Sequence, residues 1–508
     1  MERTLGRLSE RAWERFDDYD ALFFEGRWYR SRELAERTRR VAGGLTDLGV
    51  RPGDRVVVMM ANCPEVGITY QALWRAGAVV TPVVFLVSPE ELRHILTDSG
   101  ARVVVTTAEV LPTVQKAAHD LDVQIVLVGE TTAEGTVPYE KLARADELPL
   151  IDRDEQDLAA LMYTGGTTGR AKGVMLTHAG LYAASLASWE ASTAQHVNRV
   201  IVPLPLSHAY GMIVTLIGLQ SQVPRSTVLL RWFDAKEWLR LASAHRAQLA
   251  PLVPAMIGML LAEPALEATP LPDLRYITCG SAPLPRESLE EFERRVPGVQ
   301  IMEGYGMTET SAVCAVNRPG ARKAGSVGRP LPGYEITIRD EDGNALPPGR
   351  DGEICVRAGC LMKGYWRAAE ATAGALIDGE LRTGDIGHLD SDGFLFIVDR
   401  KKDLIIRGGF NVFPRDVEDA LMEHPAVAKA GVVGRPDPRL GEEVVAFVSL
   451  VPGATATPQE LIAWTRDRIG KIKYPREVHV IDAIPMTSVF KTDRKRLRQM
   501  LAEAPPAG

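Results

Sequence analysis

The chain has 508 residues, 45% hydrophobic and 25% charged, a makeup with room for more than one core, since single cores stop growing near about 250 to 300 residues. Its formal charge of -7 leaves no basic footprint for nucleic acid or an anionic membrane, so any bound anion has to be held by local groups. Five scattered cysteines with no CxxC and nine dispersed histidines suggest neither a disulfide framework nor a zinc site, and the charged N-terminus lacks the apolar run of a signal peptide. The expectation is a cytoplasmic protein without a membrane span.

From residue 31, "SRELAERTRRVAGGLTDLG" has a serine in capping position and apolar Leu34, Val41, Leu45 and Leu48 at helical spacing. "RVVVMM", the helical "PEVGITYQALWRAG" and "AVVTPV" then form a βαβ pattern, continued by the short strands "ARVVVTT" and "VQIVLV". Such alternation predicts mostly parallel, doubly wound α/β sheets with helices on both faces. After about residue 320, "YEITIRDEDGNALPPGRDGEICVR" and "HLDSDGFLFIVDR" read as antiparallel strands with Asp-Gly turns. From Lys402 helix and strand alternate again, with a capping box at Thr457 and Glu460 around Pro458, which predicts a small separate α+β domain. The expected division is therefore 1–401 and 402–508.

Between these elements lies "LMYTGGTTGRAKGVMLTH", residues 161–178, dense in glycine, threonine and two cations, Arg170 and Lys172. Flexible backbone N-H groups, hydroxyls and positive charge are what a phosphate-wrapping loop needs. The stretch matches no Walker A register and runs on into a strand, so a phosphate here gains no helix dipole and depends on side chains.

"YTGGTTGRAKG" resembles the phosphate loop of the adenylate-forming superfamily of acyl-CoA ligases, luciferases and peptide-synthetase adenylation domains. Further matches follow in that family's order: "PLPLSHAYG", "GSAPLP", "EGYGMTET", "RTGD", "VDRKKDLIIRGGFNVFP" and "PMTSVFKTDR". Any one is weak, but together they span residues 161–494. The resemblance implies a two-step reaction in which a carboxylate and Mg-ATP give an acyl-adenylate and pyrophosphate, after which a thiol displaces AMP. It also implies a mobile C-terminal domain that rotates at a hinge, here Lys402, between the steps.

Carried over residue by residue, the resemblance places Thr164, Gly165, Gly166, Thr167, Thr168, Gly169 and Lys172 around the pyrophosphate. Glu309, with Thr168, would hold Mg2+. Ser281, Ala282 and Pro283, the run Glu303, Gly304, Tyr305, Gly306, Met307 and Thr308, and Ile397 would form the adenine and nucleotide site, with Asp385 and Arg400 on the ribose. His208 would stand where the carboxylate and then the thiol approach, and Gly408, Gly409 and Phe410 along the pantetheine arm of coenzyme A. The acyl pocket would comprise Tyr210, Val214, Gly280, Ala312 and Val313 with Ser281 and Gly304 beside them.

Amino-acid adenylating members typically carry an aspartate just after the position of His208, where this chain has Ala209; an unpaired ammonium would be costly to bury. A nonamino, largely hydrophobic acid is expected. Lys491 aligns with the adenylation lysine, which bridges carboxylate and α-phosphate, and its preceding glycine is replaced by Phe490. A residue with a Cβ in a left-handed turn costs about 1 to 2 kcal/mol, and a misplacement of about 1 Å can cost about 100-fold in rate. Three readings follow: a full acid:CoA ligase, an acyltransferase that only turns a preformed adenylate into a thioester, and a noncatalytic adenylate-binding protein. Expected partners are a small carboxylic acid or its adenylate with ATP, Mg2+ and coenzyme A, and no nucleic acid; oligomeric state is open, a homodimer being one option.

Overall fold

The computed structural model describes residues 3–130, 132–164, 170–191, 197–401, 403–408, 410–487 and 492–503. Gly165, Gly166, Thr167, Thr168, Gly169, Lys402, Gly409, Phe490 and Lys491 lie outside the described residues. The chain divides into two compact units, one formed by 1–335 with 356–381 and the other by 336–355 with 382–508.

Two sheets organise the first unit. In the eight-stranded sheet the parallel strands lie in the order Leu158–Thr164, Val79–Pro82, Arg55–Met59, Val103–Thr107, Gln124–Val128 and Thr136–Pro138. Their valine-rich runs are buried throughout, as expected of strands covered on both faces. Beyond Leu158–Thr164 the strands Lys172–Thr177 and Gly364–Tyr365 add antiparallel edges. The nine-stranded sheet runs Gln300–Tyr305, Tyr276–Cys279, Leu249–Leu252, Arg199–Val202, Ser226–Leu229 and Asp20–Phe24 in parallel, with short antiparallel edges. The doubly wound α/β architecture read from the alternating pattern is thus present twice.

The helix predicted from residue 31 spans Ser31–Asp47, with Leu34, Val41 and Leu45 buried as the spacing requires. Its N-cap is Arg30 instead of the serine: Ser31 is already helical, and its hydroxyl accepts from the Tyr19 N-H and donates to Asp18. The hairpin contacts of the strand Arg27–Arg30 outcompete capping. No described helix is long and apolar enough to cross a membrane.

The second unit contains a five-stranded sheet built on Val427–Asp437 and Gly441–Leu450, antiparallel to one another, with Glu477–Val480 parallel to the latter. The helices Pro414–Met422 and Pro458–Lys473 belong to the same unit, and the Thr457–Glu460 capping box is formed as predicted. The antiparallel pair Glu380–Leu389 and Leu395–Arg400 closes through a turn at Asp390–Gly393, confirming the Asp-Gly hairpin.

One buried contact has a pH signature. His178 is fully buried at the start of the helix His178–Ala191, and its Nδ1 accepts the Leu5 N-H at 3.3 Å, tying the helix Leu5–Glu14 in place. Burial, with Arg153 nearby, lowers the imidazole pKa from 6.5 to about 4, so the folded protein holds the ring neutral. The unfolded chain binds this proton first as pH falls, so the contribution is complete above about 6.5 and is lost towards about 4. Urea midpoints should fall across that window, and His178→Gln, which keeps an acceptor but cannot titrate, should flatten the dependence.

Candidate functional site

Three loops of the first unit leave the carboxyl edge of the nine-stranded sheet, where open α/β sheets place their ligands. Tyr276–Cys279 is followed by Gly280, Ser281, Ala282 and Pro283; its parallel neighbour Gln300–Tyr305 contains Glu303, Gly304 and Tyr305 and runs on to Glu309; Arg199–Val202 leads to His208. Sequence segments more than a hundred residues apart therefore end at one sheet edge.

The backbone here is unusual. Ser281, Ser311 and Ala312 have φ of 73°, 58° and 92°, conformations that L-residues seldom adopt and that cluster at functional sites. Gly306 permits the return of this loop, since a Cβ there would stand 1.9 Å from the Ala312 carbonyl oxygen. The turn is closed by the Ala312 N-H on the Met307 carbonyl at 3.1 Å and by the Thr310 hydroxyl, which accepts the Met307 N-H at 3.0 Å. Thr308 lies between these tied positions and Val313 directly follows them, so both predicted segments, 303–309 and 312–313, belong to one hairpin-like loop.

His208 is the N-cap of the helix Ala209–Leu219, and its Nδ1 accepts the Tyr210 N-H at 3.2 Å. That contact requires the lone pair on Nδ1, so in the neutral ring Nε2 carries the proton. Tyr210 is partly buried and donates to the Thr278 carbonyl and hydroxyl at 2.9 and 2.8 Å, so its ring is pinned to the strand that precedes Gly280. Burial raises its phenol pKa, keeping it neutral. Tyr210 and Gly280 are brought together in this way. Val214, one turn further on, lines a cavity together with Leu206 and Thr215.

The two ends of the glycine-threonine loop meet, because Thr164 pairs with Lys172 across antiparallel strands. Next to them, Tyr365 pairs with Val174, which makes Tyr365 and Lys172 diagonal cross-strand neighbours. The Lys172 ammonium lies 5.3 Å from the Tyr365 ring centroid, and the Tyr365 hydroxyl donates to Glu309 Oε1 at 2.9 Å. Glu309 is only 6% exposed, in the short turn Thr308–Thr310. Burial and the Glu309 carboxylate raise the Tyr365 pKa, so the phenol stays a donor. The same segment anchors the turn twice more: Met362 N-H donates to the Glu309 carbonyl at 2.9 Å, and the Ser311 hydroxyl to the Cys360 carbonyl at 2.6 Å. Tyr365 was not among the residues expected from sequence. Its only signal is "KGYW", which carries no chemistry until the edge strand pairs.

In the second unit, Asp385 and Arg400 are register partners and form an ion pair at 3.3 Å, with Ile397 in the same strand as Arg400. Arg415 Nη1 donates to the Ile397 carbonyl at 3.2 Å. Gly408 has φ 59° in the tight connection between Ile405–Arg407 and Phe410–Val412, and Phe410 is 56% exposed.

Lys491 lies outside the described residues, but the described residues before and after its segment pair with one another. Met486 and Thr492 form an antiparallel bridge, and Asp493 N-H donates to the Pro485 carbonyl at 2.8 Å, so the two ends of the segment lie side by side. Arg494 starts the next helix, Arg494–Glu503, and its Nη2 reaches both oxygens of Glu418 at 2.7 and 2.8 Å while Nε donates to the Val432 carbonyl at 3.3 Å. Asp403, one residue past Lys402, accepts from Arg498 at 2.8 Å and lies 3.6 Å from Arg494.

Residues 9–366 match the family model of the AMP-binding enzymes, and residues 416–491 match that of the AMP-binding enzyme C-terminal domain. The chain belongs to the AMP-binding enzyme family. A long-chain-fatty-acid–CoA ligase of Bacillus subtilis is 35% identical over 97% of this chain and 94% of its own length. A feruloyl-CoA synthase of Amycolatopsis is 36% identical, over 92% and 93%. ATP-bound MatB of Rhodopseudomonas palustris superposes with a TM-score of 0.90 at 32% identity, covering 98% of this chain and 99% of that one. The protein is an AMP-forming acyl-CoA synthetase, a class that uses ATP, Mg2+ and coenzyme A.

The Arg494 contacts predict a stability effect. Arg494→Met leaves Glu418 buried without its cation and should destabilise the second unit by about 3 to 5 kcal/mol. Hydrogen exchange in the helix Arg494–Glu503 under mild urea reads the loss, and pairing the change with Glu418→Leu should restore most of it.

Proposed function

We propose that this acyl-CoA synthetase is an acid:CoA ligase that converts a nonamino, largely hydrophobic carboxylic acid to its CoA thioester through an acyl-adenylate. The arrangement of Lys172, Tyr365 and Glu309 beside the ends of the glycine-threonine loop is the observation that carries the reading. It supplies a cation for phosphate oxygens, Lys172, 5.3 Å from the Tyr365 ring centroid, and a carboxylate for a metal, Glu309, held at 2.9 Å by the hydroxyl of the same tyrosine.

In this reading Thr164, Gly165, Gly166, Thr167, Thr168, Gly169 and Lys172 surround the pyrophosphate as it leaves. A hard divalent cation fits Glu309: the group is an oxygen donor already oriented by Tyr365, and among the described residues no cluster of three or more metal-ligating side chains competes. Phosphate and water complete such a cation's shell, with Thr168 as a further oxygen. When bound, Mg2+ neutralises phosphate charge. The loops of Ser281, Ala282, Pro283 and Glu303–Thr308 receive the adenine, Ile397 adds to the nucleotide site, and Asp385 and Arg400 hold the ribose hydroxyls.

A carboxylate oxygen of the acid attacks the α-phosphorus, the bond to pyrophosphate breaks, and negative charge builds between two anions. Lys491 is the cation for that moment, and losing one preorganised donor typically costs about 100- to 1000-fold. The thiol then attacks the acyl carbon, releases AMP and gives up its proton. His208 faces both approaches; Gly408 and Gly409 leave space for pantetheine, with Phe410 alongside. Domain alternation about Lys402 is part of the same proposal. Tyr210, Gly280, Ala312 and Val313, with Val214, form the acyl pocket. Ala209 offers no carboxylate to a substrate ammonium.

Phe490 favours one second reading, thioester formation from a preformed adenylate only. ATP/pyrophosphate exchange separates the two. Exchange dependent on a hydrophobic acid and abolished by Lys491→Ala supports the full ligase, whereas no exchange together with turnover of a synthetic acyl-adenylate supports the transferase, and Phe490→Gly should then restore exchange. Turnover of neither substrate would leave only adenylate binding. For the metal, Tyr365→Phe removes the donor that orients Glu309 and should raise the Mg2+ concentration for half-maximal thioester formation roughly tenfold.

A further inference from the structure

The helix Ala209–Leu219 runs back from the carboxyl edge of the nine-stranded sheet to its amino edge, because the strand that follows it, Ser226–Leu229, is parallel to Arg199–Val202. Between this helix, the sheet and the helices Leu5–Glu14 and Pro64–Arg75 lies a cavity of about 150 Å3. A dry cavity of about that size holds a benzene-sized body. Leu206, two residues before His208, lines it, and Arg225, immediately before the strand Ser226–Leu229, lines it as well. The eleven-residue helix that roofs the space between them is about 16 Å long.

Two features of this cavity are costly unless something occupies it. The Arg225 side chain is buried, with 8% of the residue exposed, its Nη1 has no hydrogen-bond partner, and among the described residues no carboxylate pairs with it. Burial alone lowers its pKa, to about 10, so the guanidinium remains charged at neutral pH. An unpaired buried cation is among the most expensive groups a fold can carry. Arg15 donates to the carbonyl of Ser221, another residue that lines the cavity. Gly67 and Gly218, both helical and both lining the cavity, are the second feature. A Cβ at either would meet no atom within 4 Å, yet each glycine costs its helix about 1 kcal/mol relative to alanine. Side chains that would fill the space are missing while a charge faces it.

We infer that this cavity is a binding site for a carboxylate on an apolar body of about six carbons, with Arg225 as its anion partner and the glycine-faced space taking the hydrocarbon. The carboxylate has two sources: the far end of an α,ω-dicarboxylic substrate whose other end reacts beside His208, or a separate small monocarboxylate. Val214, expected in the acyl pocket, lines this cavity and so lies on the path of the first source.

The test uses the full chain. With the reaction site filled by an acetyl-sulfamoyl adenosine, hexanoate and 1-hexanol are titrated by calorimetry. Saturable hexanoate binding, at least tenfold tighter than hexanol, supports the separate ligand, and this arm is independent of the ligase reading. In the second arm, which rests on that reading, kcat/KM for dodecanedioate is compared with that for dodecanoate; preference for the diacid supports the substrate source. Whichever arm responds, Arg225→Met should weaken it roughly tenfold to a hundredfold, and Gly218→Leu, which fills the space and leaves the arginine intact, should abolish it. Arg225→Met should also unfold at a urea midpoint equal to or above that of the parent, which shows that the variant folds. No response in either arm, or responses unchanged in both variants, overturns the inference. A failure of the ligase reading itself registers separately, as absent pyrophosphate exchange.

Discussion

A carboxylate taken out of water has to be met by donors or cations, and much of the first unit's open end is arranged around one such group, Glu309. The segment from Cys360 to Trp366 does the arranging. It gives an edge strand to Lys172–Thr177, a phenol to Glu309, and backbone contacts to the turn that carries Glu309. Without the edge pairing, the lysine on its strand and the carboxylate in its turn would share no partner. With it, a positive and a negative group stand on either side of a single tyrosine.

The same economy governs the second unit on a smaller scale. Arg494 compensates the buried Glu418 and reaches toward Asp403, while the bridge between Met486 and Thr492 aligns the ends of the lysine segment. Positioning is thereby delegated to residues that need not touch a substrate. The two edges of the nine-stranded sheet contrast in this respect. At the carboxyl edge Ser281, Ser311 and Ala312 hold strained loop conformations; at the amino edge Arg225 lines a mostly apolar cavity with its Nη1 lacking a hydrogen-bond partner.

Alternation of apolar strands with amphipathic helices made the doubly wound architecture legible, since burial on both faces demands uninterrupted valine-rich runs such as 55–59 and 103–107. The Asp-Gly turns and the Thr457 capping box were legible for a similar reason: each is closed by residues within a few positions of one another. Ser31 was misread as a cap because its hydroxyl finds Tyr19 and Asp18, on the far side of a hairpin that local spacing does not reveal. Tyr365 was missed because its role depends on a strand pairing across almost two hundred residues.

By itself the sequence determined the family, the order of the motifs and the residue types available: a loop of glycine and threonine, a glutamate at position 309, an alanine after His208. Those properties belong to residue identity and short-range spacing, which survive without coordinates. Only the tertiary structure decided that Tyr365 joins Lys172 to Glu309, that Arg494 is neutralised by Glu418, and that Arg225 meets no counter-ion among the described residues, because pairing and its absence are properties of distance through space, and distance along the chain does not encode them.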